Sequence, residues 1–271
     1  MDTAAPDISI QLGILLPAFV AGLLVLSTHV PLGQHVLNRG IVFIDLAIAQ
    51  VAGLGVTVAS AMGFEAEGWT IQAAAVIAAL LGAVLLTLTE KIWPEVQEAL
   101  IGVLFVVAAC IELLLLAGNP HGGEKLKDLL VGQILFVDLA SLWPIALLYA
   151  LSLGVWFGLR NRLGQIGFYM LFALVVTQSV QMVGIYLVFA SLILPALAAR
   201  RYAPRLRLAI GYGVGLIGYV LGIVVSFLTD LPTGAVVVVA LLAVMILAAL
   251  GSLFVPASMR APQDARPEPT H

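Results

Sequence analysis

The most regular feature of the chain is a series of long apolar runs separated by short polar segments. A helix of about 20 apolar residues spans a bilayer. Two runs of this length carry one acid each, 40–62 with Asp45 and 99–118 with Glu112. The pattern predicts an all-α polytopic membrane protein with a single transmembrane domain over 1–255. The uncharged runs that qualify as spans are 8–38, 68–89, 139–159, 208–229 and 231–259.

The uncharged run 163–199 is too long to be one crossing. As a single helix it would extend about 55 Å, whereas the hydrocarbon core is roughly 30 Å thick. Arginines bracket the run on both sides, and arginines beside membrane helices tend to remain in the cytoplasm. We therefore expect this run to enter the membrane and return, reversing near TQSVQMVG (177–184) as a hairpin or a re-entrant helix. Eight or nine crossings follow from this interpretation.

The basic residues also predict the orientation of the chain. With the N-terminus outside and the C-terminus in the cytoplasm, every basic residue except Lys125 and Lys127 falls on the cytoplasmic side. The N-terminus is acidic and lacks the basic region of a cleaved signal peptide, so the first run should remain as a membrane helix. The polar, Pro-rich tail 256–271 is predicted to be a disordered cytoplasmic segment.

Composition agrees with a lipid environment and narrows the function. Charged residues make up 10% of the chain, against roughly 25% in soluble domains. The net charge is −3 without a long basic run, so no nucleic-acid partner is expected. The single cysteine, Cys110, excludes an intrachain disulfide and argues against a thiolate metal cluster. Since the sequence contains neither a phosphate-binding loop nor an HExxH motif, energy for uphill transport would come from an ion gradient or a separate ATPase.

Polar residues within the apolar runs are the candidates for chemistry. Asp45 and Gln50 would lie about 9 and 16 Å into the second run, and Glu112 would lie deep in the fourth. Ionisable groups inside a bilayer usually face a protein interior or a water-filled cavity. We expect these three residues to mark a translocation path. The alternative is that each bonds a neighbouring helix, and we favour this second role for Gln178 and Gln181.

The predicted outer loop 119–128, NPHGGEKLKD, contains His121 and Glu124. A histidine and a carboxylate three residues apart could contact a metal ion. The two adjacent glycines fit an ordinary flexible turn, which is the interpretation we favour. His29 and His35 are predicted to flank a first cytoplasmic turn at the membrane interface, which leaves no histidine deep in a span.

The segment 183–207 ends in a basic region that is suited to a cytoplasmic partner. Pro195 is expected to interrupt a helix that enters the cytoplasm, ahead of a short charged segment. Such a rigid element with an exposed charged loop could dock an ATPase, or the arginines could serve only to set topology. The arginines concerned are Arg200, Arg201, Arg205 and Arg207.

The same segment carries a family resemblance. GIYLVFASLILPALAARR (184–201) is similar to the V-G-x-x-L-V-x-A-L-L-I-L-P-A-x-x-A-R pattern of permeases in the zinc/manganese class of bacterial ABC metal importers. Further segments agree with this family in order and spacing, and the resemblance extends over about 10–255. They are PLGQHVLNRGIVFIDLAIAQVAGLGV (31–56), EALIGVLF (98–105), DLLVGQILFVDLASLW (128–143) and SFLTDLPTGAVVVV (226–239).

The resemblance implies a transport subunit of the bacterial cytoplasmic (inner) membrane that is not itself an enzyme. Two copies would form one path, a pair of ATP-binding subunits would dock at 196–207, and an extracytoplasmic binding protein would deliver a divalent metal ion. ATP and Mg would belong to the partner subunit, and this chain would hold no cofactor of its own. Zinc is the first expectation for the cargo, then manganese or iron. Asp230, retained in the D-L-P-T-G segment, joins the predicted path.

This chain departs from the family at the predicted path. The family's second helix usually carries Asp and His four residues apart, and here those positions align with Leu46 and Gln50, with Asp45 one residue early. The histidine sometimes found before the D-L-P-S-G segment is Leu228 here. Asp45 and Gln50 are about 140° apart on an ideal helix, so both cannot face one ion without a π-type distortion.

Several interpretations stay open. We favour a weak, oxygen-lined conduit in which the binding protein sets selectivity, over a branch of the family with a different substrate. A gradient-driven secondary transporter with Asp45 and Glu112 as proton-relay acids is the alternative from another class. An intramembrane enzyme is less favoured, because the predicted spans lack a His/Asp or Ser/Lys catalytic pair.

Overall fold

The protein is all α-helical in a computed structural model that describes residues 8–64, 68–116, 122–132, 134–159 and 162–254. Short 3₁₀ turns lie at Pro94–Val96, Ile134–Phe136 and Pro204–Leu206. The predicted tail 256–271 lies outside the described residues. The helices of the described part are α1 (Ile8–Arg39), α2 (Ile44–Ala61), α3 (Trp69–Ile92), α4 (Gln97–Leu116), α5 (Gly122–Val131), α6 (Leu139–Leu159), α7 (Gly164–Val183), α8 (Ile185–Arg200), α9 (Arg207–Thr229) and α10 (Thr233–Gly251).

Eight of the helices in the described part are long and apolar enough to cross a membrane. They are all of the helices named above except α5 and α8. The ninth apolar helix, α8, has 16 residues and spans about 24 Å at 1.5 Å per residue. The prediction of an all-α membrane protein with eight or nine crossings is confirmed.

The long uncharged run reverses, as predicted, at Gly184. This residue has φ +83° and separates α7 from α8. Near the start of α7, the Phe168 ring lies 4.7 Å from the ring of His35 on α1. On α8, the carbonyl oxygen of Leu192 packs against Gly33, where a Cβ atom would overlap it. Because both contacts fall within one turn of α1, the chain has returned to the level at which α7 began.

Two ends of the bundle can be distinguished. At the basic end, Arg39 of α1 bonds Glu90 of α3 at 2.5 Å. The arginine-bearing turn between α8 and α9 lies beside the end of α10, because Tyr202 Oη donates to the carbonyl oxygen of Ala248 at 2.8 Å. At the opposite end, which we call the α5 end, Gly132 after α5 packs against the α7–α8 break. Helix α1 ends at the basic end, and so does α10. The first and last helices therefore run in the same direction, from the α5 end to the basic end, as expected for nine crossings.

Helix α1 corrects the prediction for its two histidines. His29 and His35 both lie inside α1, since Pro31 does not end the helix and the first turn comes at 40–43. A membrane helix tolerates an internal proline because neighbouring groups bond the backbone carbonyl that loses its N–H donor. His29 is fully buried, with Nδ1 2.9 Å from the carbonyl oxygen of Val25. The expectation that no histidine lies deep in a span was wrong.

Burial separates interior helices from those that face lipid. Helices α1, α2, α7 and α8 contribute most of the buried core, whereas α4, α6 and α10 expose broad apolar surfaces. Two tyrosine–serine pairs join the interior helices α7 and α8 to α6 and α9. Tyr149 of α6 bonds Ser179 of α7 at 2.5 Å, and Tyr219 of α9 bonds Ser191 of α8 at 2.8 Å. Helix α2 packs against α3, α4 and α7.

Candidate functional site

A stripe of small and polar residues on α2 faces α4. Gln50, Gly53 and Thr57 are three and four residues apart, a spacing that places them on one helix face. The Gln50 and Thr57 side chains are buried although the helix is otherwise apolar. Sequence reasoning selected Gln50 and missed Thr57. The seven-residue spacing between the two polar side chains is the signal that could have found it.

Glu112 of α4 accepts hydrogen bonds from both polar side chains of this stripe. Its side chain is 1% exposed. Gln50 Nε2 donates to Glu112 Oε2, and Thr57 Oγ1 donates to Glu112 Oε1 at 2.8 Å. A buried carboxylate is stable only when its oxygens are hydrogen-bonded or paired with a cation. Here both donors are neutral, so the negative charge has no counter-charge among its hydrogen-bonding partners. We call Gln50, Thr57 and Glu112 the Glu112 cluster.

The Glu112 carboxylate lies beside Gly53 of α2, at ordinary van der Waals distance from where a Cβ atom would stand. A Cβ atom built at Gly53 would be 3.5 Å from Glu112 Oε1 and 3.8 Å from Oε2. The same atom would be 3.8 Å from Leu129 Cδ1, on α5. The cluster is thus enclosed by three elements: α2, α4 and the short helix α5.

Asp45 lies closer to the basic end than the sequence predicted. The chain turns at 40–43, and α2 begins only at Ile44, so Asp45 stands in the first helical turn rather than about 9 Å into the helix. Its side chain is 1% exposed. Neither carboxylate oxygen has a hydrogen-bond partner among the described residues. The acid facing it is Glu98 of α4, whose Oε1 accepts the N–H of Phe43 at 3.2 Å.

Asp45 and Gln50 have different surroundings, as their angular separation predicted. Gln50 reaches Glu112, and Asp45 does not share that contact. Within the described ranges, no group of three or more His, Cys, Asp or Glu side chains is placed to hold a metal ion. An ion at the Glu112 cluster would therefore meet oxygen donors from a carboxylate, an amide and a hydroxyl.

The partly buried acid Glu90 has a structural role at the basic end. Its Oε1 bonds Arg39 at 2.5 Å. The Arg39 guanidinium also lies 5.5 Å from the Phe168 ring centroid and 5.8 Å from that of Tyr169. Gln97 Nε2 donates to Tyr169 Oη at 3.4 Å. These contacts tie the ends of α1, α3, α4 and α7 together.

Asp230, predicted to join the path, and Gln178 and Gln181, predicted to bond neighbouring helices, lie at or near the α5 end. Asp230 follows α9 in a left-handed conformation with φ +54°. It is exposed and does not belong to the buried Glu112 cluster. Gln178 lines a cleft of about 650 Å³ between α3 and α6. Gln181 Nε2 is buried without a hydrogen-bond partner in the described part of the chain.

The predicted outer loop is partly helical. His121 and the side chain of Glu124 lie outside the described residues. The expectation of a flexible turn was wrong from Gly122 onward, where α5 begins. Its sequence GGEKLKDLLV is polar first and apolar later, so the helix can pack its apolar end against the bundle.

The predicted coupling region forms an exposed basic turn between α8 and α9. Arg200, Arg201 and Arg205 are exposed, and Arg207 Nε donates to the carbonyl oxygen of Tyr202 at 3.2 Å. Pro195 was expected to interrupt the preceding helix, but it lies inside α8, which continues to Arg200. As at Pro31, the membrane helix continues through the proline although one backbone hydrogen bond is lost.

Comparison with known proteins agrees with this architecture. A chain of PsaBC from Streptococcus pneumoniae in complex with Fab superposes with a TM-score of 0.68 at 19% identity, over 91% of each chain, and so shares the fold. Manganese transport system membrane protein MntC of Halalkalibacterium halodurans is 26% identical over 228 residues, 76% of each protein. An uncharacterized membrane protein of Synechocystis is 25% identical over 243 residues, 82% of this chain and 84% of the relative.

The family profile matches most of the chain. The profile described as ABC 3 transport family matches residues 11–162 and 154–252. These matches include the segments that carry the resemblance in the sequence, from the α1–α2 region to the D-L-P-T-G turn. The chain is therefore a member of the ABC 3 transport family, as its resemblance to ABC metal-importer permeases predicted.

Proposed function

We propose that this protein is the permease subunit of an ATP-driven importer that carries a divalent metal ion across the bacterial inner membrane. The basic end faces the cytoplasm, so the N-terminus is outside and the C-terminus is cytoplasmic. The concentration of arginines at that end supports this orientation. The α5 end then faces the compartment from which the ion arrives.

The Glu112 cluster is the observation that carries the proposal. A carboxyl group held by neutral partners is available to an incoming cation, because no resident cation has to be displaced. An ion that breaks the Gln50–Glu112 bond meets the Gln50 carbonyl oxygen after a half-turn of the amide. Such a site binds weakly enough to release its ion, as transport requires.

The donor set favours manganese as the cargo. Carboxylate, amide and hydroxyl oxygens suit manganese better than zinc, which favours imidazole and thiolate. The Halalkalibacterium halodurans relative is named a manganese transport system membrane protein. We therefore place manganese first and zinc second, which reverses the order that the family resemblance suggested. The metal is cargo, and no resident cofactor is proposed.

Asp45 is proposed as the next contact on the way to the cytoplasm. Its two buried oxygens have no hydrogen-bond partner in the described ranges, and it lies between the Glu112 cluster and the basic end. Asp230, His121 and Glu124 are proposed to meet the ion before it reaches Glu112. Replacing Asp45 with Asn should abolish most uptake and leave ATPase docking intact, because no bonded partner is lost.

The partners follow from membership of the family. Two copies of the permease would enclose one path, and an extracytoplasmic binding protein would deliver the ion at the α5 end. ATP-binding subunits, with their ATP and Mg, would dock on the exposed turn between α8 and α9. The positive charge of Arg200, Arg201 and Arg205 on that turn supports this contact.

The test is ion uptake by the complete transporter in proteoliposomes. With binding protein and ATPase present, we expect ATP-dependent uptake and ATPase stimulation in the order manganese, zinc, then iron and nickel. Exposed Glu95, at the basic end, provides a matched control, since Glu95→Gln removes an acid outside the proposed path. Uptake driven by a proton gradient without ATP or ATPase subunits would overturn the proposal in favour of a secondary transporter.

A further inference from the structure

We propose that Leu129, carried by α5, is the residue that closes the Glu112 cluster toward the α5 end. Helix α5 is then a lid on the path rather than a simple connection between spans. The inference rests on the proposed function only in that an ion passes Glu112. Which ion passes, and what drives it, does not enter the inference.

The first support is that Leu129 and Glu112 both approach Gly53 of α2. A Cβ atom built at Gly53 would touch Glu112 Oε1 at 3.5 Å and Leu129 Cδ1 at 3.8 Å. The carboxylate and the isobutyl group therefore border the same small space above the α2 backbone. Glu112 stands only four residues before the end of α4, yet its side chain is 1% exposed. Leu129 is one of the residues that shield the Glu112 side chain from solvent.

The second support is the character of α5. With ten residues this helix is about 15 Å long and cannot cross the membrane. Its early part carries charged residues, and its end is Leu129, Leu130 and Val131, all partly buried. Lys127, two residues before Leu129, is exposed. The helix therefore has a charged first part and an apolar, partly buried end that lies against the bundle, as a lid requires.

The third support is the anchor at the C-terminal end of α5. Gly132 has φ +69°, and a Cβ atom there would overlap the backbone of Val183. A Cβ atom at Gly184 would overlap the backbone of Gly132, and one at Gly234 would overlap the carbonyl oxygen of Val131. Backbone thus packs on backbone where α5 meets the α7–α8 break and the start of α10. The anchored end is next to the residue that covers Glu112, so Gly132 is the natural pivot.

The closed lid has a direct consequence for the ion. With α5 in this position, the apolar Leu129 side chain would hinder water and hydrated cations from reaching Glu112 from the α5 end. Displacement of α5 about Gly132 would expose the carboxylate and its Thr57 donor. Because α8 runs from Gly184 to the exposed basic turn, the lid anchor and the proposed ATPase contact lie at the two ends of one helix.

The test measures access to the site by thiol labelling, without using transport. Cys110, the single cysteine of the chain, is replaced by serine, and Thr57→Cys provides a reporter thiol beside Glu112. The assembled transporter, in vesicles oriented with the α5 end outside, is treated with a membrane-impermeant methanethiosulfonate in the absence of ATP. Into this background Leu129→Ala, Leu129→Met and Leu130→Ala are introduced separately. Leu130 is the matched control, since it is the adjacent leucine of the same helix.

Leu129→Ala should raise the labelling rate at least about tenfold, whereas Leu130→Ala and Leu129→Met should stay within about twofold of the parent. The Met variant keeps a side chain of similar volume and so preserves the cover. Equal rates in all variants, or equal increases for Leu129→Ala and Leu130→Ala, would overturn the proposal. Because labelling does not depend on the cargo, failure of the metal-import proposal would appear separately, as an absence of metal uptake by the parent.

Discussion

Glu112 and Glu90 are both acids on apolar helices, and their partners differ. Glu90 bonds Arg39, a cation that also lies over two aromatic rings. Glu112 is more deeply buried, and its hydrogen-bond partners among the described residues are the neutral groups of Gln50 and Thr57. A metal ion would have to displace an arginine at Glu90, but only an amide and a hydroxyl at Glu112. The comparison teaches that an acid bonded to neutral groups is a better transport candidate than an acid bonded to an arginine.

The largest expected effect comes from neutralising the two acids in turn. Glu112→Gln should lower manganese uptake by about 100-fold, since the charged ligand is lost while the shape is kept. Glu90→Gln should leave uptake per folded complex within about threefold, and should cost about 1–2 kcal/mol of stability, because the ion pair lies between the surface and fully buried cases. Uptake is measured with the radioactive ion and stability by thermal unfolding in detergent. Equal losses of uptake would remove the distinction between the acids.

The Gln50 position should set ion preference within the Glu112 cluster. Gln50→His replaces an amide oxygen by an imidazole nitrogen, so we expect the ratio of zinc to manganese uptake to rise about tenfold. Gln50→Asn keeps an amide on a shorter side chain and serves as the control for lost length. Competition between the two ions in one uptake assay gives the ratio directly. An unchanged ratio in the His variant would place ion selection outside this cluster.

The smallest expected effect concerns the donor that sequence reasoning missed. Thr57→Val removes one hydrogen bond to Glu112 and should lower manganese uptake about fivefold. Thr57→Ser retains the hydroxyl and should restore uptake to within about twofold of the parent. If the serine variant were as impaired as the valine variant, the methyl group rather than the hydroxyl would be the part that matters.

Much of the fold could be predicted from the sequence because a bilayer allows few solutions. Apolar run lengths and bracketing arginines were enough to predict the spans and the reversal at Gly184. The path of α1 through Pro31 could not be predicted, since a proline between apolar residues fits a turn as well as a tolerated internal position. The late start of α2 at Ile44, which moved Asp45 toward the basic end, also has no clear sequence signal.

The candidate site was only half predictable. Polarity within apolar runs was sufficient to select Gln50 and Glu112. Their hydrogen bond joins residues 62 positions apart and depends on how α2 packs against α4, which one sequence does not reveal. Thr57 was overlooked because a threonine in a membrane helix commonly bonds its own backbone. The contact of Leu129 with the site was hidden because the segment before it was interpreted as a turn.

The most direct test of the central claim is equilibrium binding of Mn²⁺ to the purified permease in lipid nanodiscs. Electron paramagnetic resonance reports free aquo-Mn²⁺, so bound ion is read from the lost signal across a titration. The parent and Glu90→Gln should bind with dissociation constants within about twofold of each other, and Glu112→Gln should bind at least about tenfold more weakly. Binding by Glu112→Gln that matches the parent would contradict the assignment of the ion to the Glu112 cluster.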